Sequence, residues 1–281
     1  MKPQFQHELT TSFMMWADHF ICSKADAFSN FTASLFPTPD ERLDTELVGY
    51  SSPHKQWVFD HSIDGAIIPS GVYNGDEFIG RGEQGLMFDF DNGRALFDKS
   101  FGASNLSVSG SYSVKDFNFY ITNQTEEQLI VESKFDTNSR FRQDFSGIAP
   151  YSQVVPAIFV NPEMSQNEPF AFGGEDKTKT DIRCVVISQN SYQLDGALSV
   201  FADAKQEVFA KLSFEDYPLN EVGDALDYNY VNLSKLSRDP FFHIEEVRVS
   251  KLSDRVSKAI DPSLFVGFVD FEVTNIRYPR S

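Results

Sequence analysis

Apolar positions along the chain follow two periods, and the change from one to the other divides it. Between residues 8 and 36, Leu9, Phe13, Trp16 and Phe20, then Phe28, Phe31 and Leu35, recur at spacings of three, four and eight. One such stripe predicts one long amphipathic helix over residues 8–36, stopped by Pro37 and Pro39, with Thr10 to Ser12 as N-cap candidates for a slightly later start. At 1.5 Å per residue a helix of this length spans about 40 Å, enough to cross a sheet or reach a neighbouring subunit.

From Glu46 to Val114 the period becomes two. Trp57-Val58-Phe59, Gly65 to Ile68, Gly71-Val72-Tyr73, Glu77-Phe78-Ile79 and Leu86 to Phe90 are short β-prone runs separated by Gly, Asn, Asp, Ser and Pro. Asn74-Gly75 and Asn92-Gly93 have the composition of two-residue type I′ turns, whose central positions both require positive φ. Phe88 and Phe90, then Ala95 and Phe97, alternate on either side of Asn92-Gly93 and predict a hairpin. Leu106, Val108, Gly110, Tyr112 and Val114 continue the alternation.

Further along, Phe117 to Ile121 predicts a strand, and Thr125 to Phe135 a short helix capped by Thr125 or Asn123. Val154 to Val160 reads as a strand at a sheet edge, because Pro156 interrupts it. Residues 161–180 read as a long exposed loop. Ile182 to Ile187 is a buried strand, Ser191 to Leu212 a helix with Leu194, Leu198, Phe201, Val208 and Leu212 on one face, and Phe241 to Val249 a strand. Leu264 to Val273 closes the series, with Phe265, Gly267, Val269, Phe271 and Val273 on one face and Val266, Phe268, Asp270 and Glu272 on the other. The order predicts an α+β fold, mainly antiparallel sheet, with a long N-terminal helix and a β-rich insertion. It divides into an N-terminal helical segment (1–45), a β-rich lobe (46–115) and an α+β body (116–281).

Composition narrows the function classes. The 281 residues carry 24 Lys and Arg against 41 Asp and Glu, a net charge of −17. Such a surface repels nucleic acid and anionic lipid over most of its extent, which argues against sequence-specific DNA binding but suits a wall that DNA passes without being gripped. The acids concentrate in Asp40–Glu46 and Asp216–Asp227, which read as solvated faces or as contacts for a basic partner. The 28 Phe are a packing signal, since Phe buries area and offers no hydrogen bond. Cys22 and Cys184 read as two buried, reduced thiols of a protein made in a cytoplasm. Residues 1–8 lack the apolar run of a secretory signal, and no stretch has the length of a membrane span.

No reaction is announced. Gly80-Arg81-Gly82-Glu83-Gln84-Gly85 matches the string of dinucleotide sites, but a strand follows it where that chemistry requires a helix N-terminus. Asp89 to Gly93 resembles the start of a calcium loop, yet its glycine is fifth rather than sixth and Ser100 stands where a bidentate Glu belongs. His7, His19, His54, His61 and His243 have no zinc-binding spacing. The neighbouring pairs His7/Glu8, His19/Asp18 and His61/Asp60 point apart on a helix or strand, so these histidines read as solvated. No G-x-S-x-G occurs, and no catalytic, cofactor-binding or metal-ligating residue is assigned.

One segment carries a resemblance. Trp57-Val58-Phe59-Asp60, Ser62 to Ala66, Pro69 to Tyr73, Arg81-Gly82 and above all Gly85-Leu86-Met87-Phe88-Asp89-Phe90-Asp91-Asn92-Gly93-Arg94 resemble virion structural proteins of tailed bacteriophages, especially marine and freshwater phages. The resemblance covers about a seventh of the chain and brings no catalytic residue with it. It implies a non-enzymatic virion subunit in a homo-oligomeric ring at the head–tail neck or tail end. Portal, connector or tail proteins would be its neighbours, and genomic DNA would pass without specific binding. The Asn92-Gly93 hairpin and the N-terminal helix would be the devices that reach a neighbour, unless the hairpin packs on its own lobe. The alternative is a baseplate or tail module that binds a host-surface glycan through exposed Trp57, Tyr73 or Tyr112. A hydrolase with an acid pair has no support in the sequence.

Overall fold

The computed structural model describes residues 4–40, 43–102, 106–132, 135–137, 153–236, 241–253 and 264–278. Its class is the α+β, mainly antiparallel fold that the sequence predicts.

The N-terminal helix α1 (Phe5–Ala25) ends a third of the way short of its apolar stripe. Asp26 takes the left-handed conformation (φ 47°, ψ 40°) and closes it. The Ser, Asn and Thr that follow compete with helical hydrogen bonds and favour extended backbone. Residues 28–34 therefore form strand β1 (Phe28–Ser34), and Pro37 lies on the short strand β2 (Phe36–Pro37) rather than terminating a helix.

The β-rich lobe continues with β3 (Leu47–Ser51), β4 (Gly71–Asn74), β5 (Glu77–Gly80), β6 (Met87–Asp89), β7 (Arg94–Asp98), a single turn α2 (Lys99–Gly102) and β8 (Val108–Lys115). They form two four-stranded antiparallel sheets, ordered β1-β8-β4-β5 and β2-β3-β7-β6. Two predicted strands are absent. Trp57 makes only an isolated bridge to Val114, and residues 65–68 form a connection. Both connections are tied to the lobe by backbone bonds, Trp57 N–H to Phe90 C=O (2.8 Å) and Ser113 N–H to Ile67 C=O (2.8 Å). Both hairpins exist, with different turns. Asn74 pairs with Glu77, so the loop is Gly75-Asp76; Asp89 pairs with Arg94, so the other loop is the four residues Phe90–Gly93. In each loop only the glycine has positive φ, which excludes type I′.

The body begins with β9 (Asn118–Ile121) and a helical turn at residues 126–132 that Thr125 caps, its hydroxyl accepting from Gln128 N–H (3.2 Å). Residues 133–134 of the predicted helix lie outside the described residues. Next come the two-residue strands β10 (Asp136–Thr137) and β11 (Val154–Val155), then β12 (Ala157–Pro162), β13 (Gln166–Pro169), β14 (Asp176–Ser188), helix α3 (Ser191–Ala202), β15 (Val208–Phe209), helix α4 (Tyr230–Leu236), β16 (Phe242–Lys251) and β17 (Phe265–Arg277). The main sheet runs β15-β16-β17-β14-β12-β9, with β13 on the distal part of β14; only β12–β9 is parallel. Pro156 sits between β11 and β12 and interrupts neither, so β12 is interior and not an edge. The stretch predicted as a loop at 161–180 is the β13–β14 hairpin. Helix α3 stops ten residues before Leu212, where a polar run holds Gln206 at φ 72°.

Face assignment follows the sequence. Val269, Phe271 and Val273 look into the large core, where α1 and α3 cover the sheet, while Val266 and Phe268 join Leu129 and Phe159 on the opposite face. Phe13 and Trp16 of α1 pack against Phe209 and Phe271, with ring centroids 5.1–6.1 Å apart. Gly267 admits α3 closely: a β-carbon there would lie 2.9 Å from Leu194 Cδ1. The large core is continuous from α1 through the β-rich lobe to the sheet, and it sets the two parts around one cleft.

Candidate functional site

The six residues Asp89–Arg94 join β6 to β7, and five of them serve the fold. Asp89 Oδ2 accepts from Arg94 Nε (2.7 Å) and Asn92 Nδ2 (2.9 Å), and its Oδ1 accepts from Asn92 N–H (3.0 Å). Arg94 also donates to Asp40 Oδ2 at 2.8 Å, with both side chains almost wholly buried. Phe90 is buried between the rings of Trp57, Phe59 and Phe88. Gly93 packs where a β-carbon would lie 2.0 Å from the His54 carbonyl. The calcium reading fails on this geometry, because Asn92 and Arg94 take up the Asp89 carboxylate. Phe88, Phe90, Ala95 and Phe97 are all buried in their own lobe, so this hairpin is core and not an arm toward a neighbour.

Asp91 is the exception. Its residue is exposed, and among the described residues no donor bonds its carboxylate. It lies on the wall of a cleft of about 560 Å³ between lobe and body. Met14 of α1, Phe119, Tyr120 and Ile121 of β9, and Tyr217 form the apolar sides; Asp44, Asp91 and Glu221 supply charge. Asp91 also borders a smaller cavity of about 60 Å³ that holds Asp18 and Lys115. Enclosure by protein pushes the Asp91 carboxyl up to about 6, with Lys115 opposing and Asp89 and Asp18 adding to the rise.

The neighbouring ion pair is closed. Lys115 Nζ donates to both Asp18 oxygens at 2.8 and 2.7 Å and sits 4.2 Å above the Phe59 ring. Burial disfavours the charged ammonium, but Asp18 outweighs it and raises the Lys115 pKa.

A second polar centre joins α1, the lobe and α4. His19 Nδ1 lies 2.9 Å from Asp60 Oδ2, and Tyr230 stacks on the imidazole at 4.7 Å. Ser62 Oγ donates to Asp60 Oδ1 (2.6 Å), which also accepts from Tyr230 N–H (3.1 Å). Burial alone would raise Asp60; bonds from His19, Ser62 and Tyr230 hold it below its ordinary value. This is not a nucleophilic triad, because Ser62 and Asp60 approach the same ring nitrogen, whereas a triad needs the hydroxyl on Nε2. The sequence reading of His19 as solvated is corrected: its carboxylate partner is 41 positions away, not next door.

The remaining sequence candidates resolve plainly. The Gly80–Gly85 string is a strand end and a 3-10 turn leading into β6, and Glu83 occupies the Gly80 N–H (2.8 Å). His7 and His243 are exposed, His61 is exposed in a turn, and His54 stacks on Phe31. Among the described residues no group of three or more His, Cys, Asp or Glu could hold a metal ion, and no helix is long and apolar enough to cross a membrane. The two acidic runs, read as solvated faces or partner contacts, both reach the cleft: Asp44 from one, and Tyr217, Asn220 and Glu221 from the other. Parts of them are fixed inward, Asp40 on Arg94 and Asp224 on Arg81; Glu41 lies outside the described residues. No sequence signal placed the cleft, because its walls come from seven separated segments. Comparison of the chain with protein-family models and with curated proteins found no match.

Proposed function

We propose that the chain is a non-enzymatic structural subunit of a tailed-phage virion, working in a homo-oligomeric ring at the head–tail neck or tail end. The phage assignment rests on the resemblance of residues 57–94. The observation that carries assembly is the β13–β14 arm. All four residues of β13 are exposed, and the loop at its tip presents Phe170 (55% exposed) and a fully exposed Phe172, with exposed Met164 and Tyr278 in the same region. Large apolar side chains gathered on a projection are a mark of an interface. A projection that inserts into a different surface of the next copy makes a heterologous contact, and such contacts close into rings. The net charge of −17 suits a lumen that DNA traverses. The glycan-binding alternative is weaker, because Trp57 and Tyr112 are buried and only Tyr73 of its three aromatics is exposed.

Mass measurement of the purified chain, paired with imaging of labelled virions, tests this. A discrete oligomer that becomes monomeric in the Phe170→Ser/Phe172→Ser variant supports the reading, since neither exposed ring supports the fold. A chain that stays monomeric at high concentration and is missing from virions refutes it.

A further inference from the structure

We propose that the cleft between lobe and body receives a lysine or arginine side chain from an extended segment of a partner protein, with Asp91 as the counter-ion. The inference does not depend on the virion reading, because the cleft would accept such a segment from any partner.

The first argument is what Asp91 lacks. Its five neighbours in the motif are bonded or packed, while its own carboxylate has no donor among the described residues and opens into the cleft. The nearby cation, Lys115, is committed to Asp18 through two short bonds. Arg94, the cleft's one described basic residue, is bonded to Asp89 and Asp40. Asp44 and Glu221 face the same space without a basic partner among the described residues, so among those residues the negative charge from three segments of the cleft is uncompensated.

The second argument is shape. A small inorganic cation would need several oxygens converging on one point, and no such group is present among the described residues. The cleft is instead wide and partly apolar, with Met14, Phe119, Ile121 and Tyr217 along its sides. Lysine and arginine match that arrangement: an aliphatic stem lies on apolar wall while the head reaches a carboxylate, and an aromatic face adds cation–π attraction. The volume of about 560 Å³ holds one such side chain and its flanking residues.

The groups facing Asp91 fix the pH behaviour. They are Asp18 of α1, Lys115 of β8 and Asp89 of β6, with Arg94 of β7, Tyr120 of β9, Asp44, Glu221 and Tyr217 lining the same cleft. A bound cation favours the ionised carboxylate, so affinity should rise with pH as Asp91 ionises.

The test is NMR titration of the isotope-labelled full chain with acetyl-Leu-Arg-Leu-amide. Its citrulline counterpart has the same shape without charge, and spermidine serves as a free cation. The expected result is peptide-dependent shifts centred on Gln56, Asp91 and Tyr217. Affinity should fall at least about tenfold with citrulline, with Asp91→Asn, and on going from about pH 7.5 to about pH 4.5. Asp91→Asn should melt no lower than the native chain, so lost binding is not lost fold. Equal binding of the citrulline peptide, equal binding by Asp91→Asn, saturation by spermidine without peptide binding, or no shifts at all would each overturn the proposal.

Discussion

Arg94→Met removes the cation from a buried polar knot while keeping most of the side chain's volume. In the native chain the guanidinium lies between two carboxylates, bonded to Asp89 at 2.7 Å and Asp40 at 2.8 Å, and each of the three side chains is no more than 3% exposed. Methionine removes the cation that Asp89 and Asp40 share. Breaking a buried ion pair from one side costs about 3–5 kcal/mol, because the surviving charge is uncompensated. Loss of the cation from two buried carboxylates therefore costs a large share of the roughly 5–15 kcal/mol that holds a folded protein together. Arg94→Lys keeps the charge but cannot bond both acids through a planar fork, and should lose about 1–2 kcal/mol.

Urea unfolding at neutral pH measures both values from the midpoints. Two controls separate charge from packing. The loss in Arg94→Met should shrink as the pH falls, since the carboxylates can then take up protons. A double variant with Asp89→Asn should recover part of the loss. An Arg94→Met protein within about 1 kcal/mol of the native one, at every pH, would refute the account of this motif as a fold-determining knot.

Three further outcomes are expected. Asp91→Asn should be more stable than the native chain by about 1 kcal/mol near neutral pH, after discounting for solvent contact, because a raised carboxyl pKa makes the ionised form unfavourable in the fold; the native penalty grows as pH rises through about 6, so melting curves of the two proteins should coincide near pH 4. Gly93→Val should lose about 3–5 kcal/mol in urea unfolding, from left-handed strain plus collision with the His54 carbonyl, whereas Gly75→Val, with the same strain and open space, should lose only about 1–2; equal losses would refute the packing argument. Cys22 and Cys184 are buried, burial pushes both thiols up, and native labelling should be slow until denaturant is added.

Much of the fold was legible because period and face survive folding. The alternation in residues 264–273 assigned Val269, Phe271 and Val273 to one core and Val266 and Phe268 to the other. Where the sequence misled, a shared spacing hid a change of element. Phe28, Phe31 and Leu35 continue the stripe of α1, but β1 pairs residue for residue with β8, and those long-range bonds decide its conformation. Leu212 extended the face of α3 in the same false way. The cleft was not legible at all, since Met14, Gln56, Asp91, Phe119 and Tyr217 converge only through tertiary packing. The acidic runs were a partial signal: they announced charge and left its address open.

The motif at residues 89–94 shows how a distinctive string and a functional residue differ. Its recognisable letters are ones the fold requires: an aspartate that closes a loop and grips an arginine, a phenylalanine in the core, and a glycine where only hydrogen fits. None of that chemistry looks outward. The Asp91 carboxylate meets no donor among the described residues, faces a cleft and is disfavoured as an ion where it stands. A fold selected for stability alone would place a neutral residue there. The energetic disadvantage of Asp91 in the isolated chain and its fit to a partner's cation are therefore one statement, and a stabilising Asp91→Asn substitution that also abolishes binding is the signature that joins them.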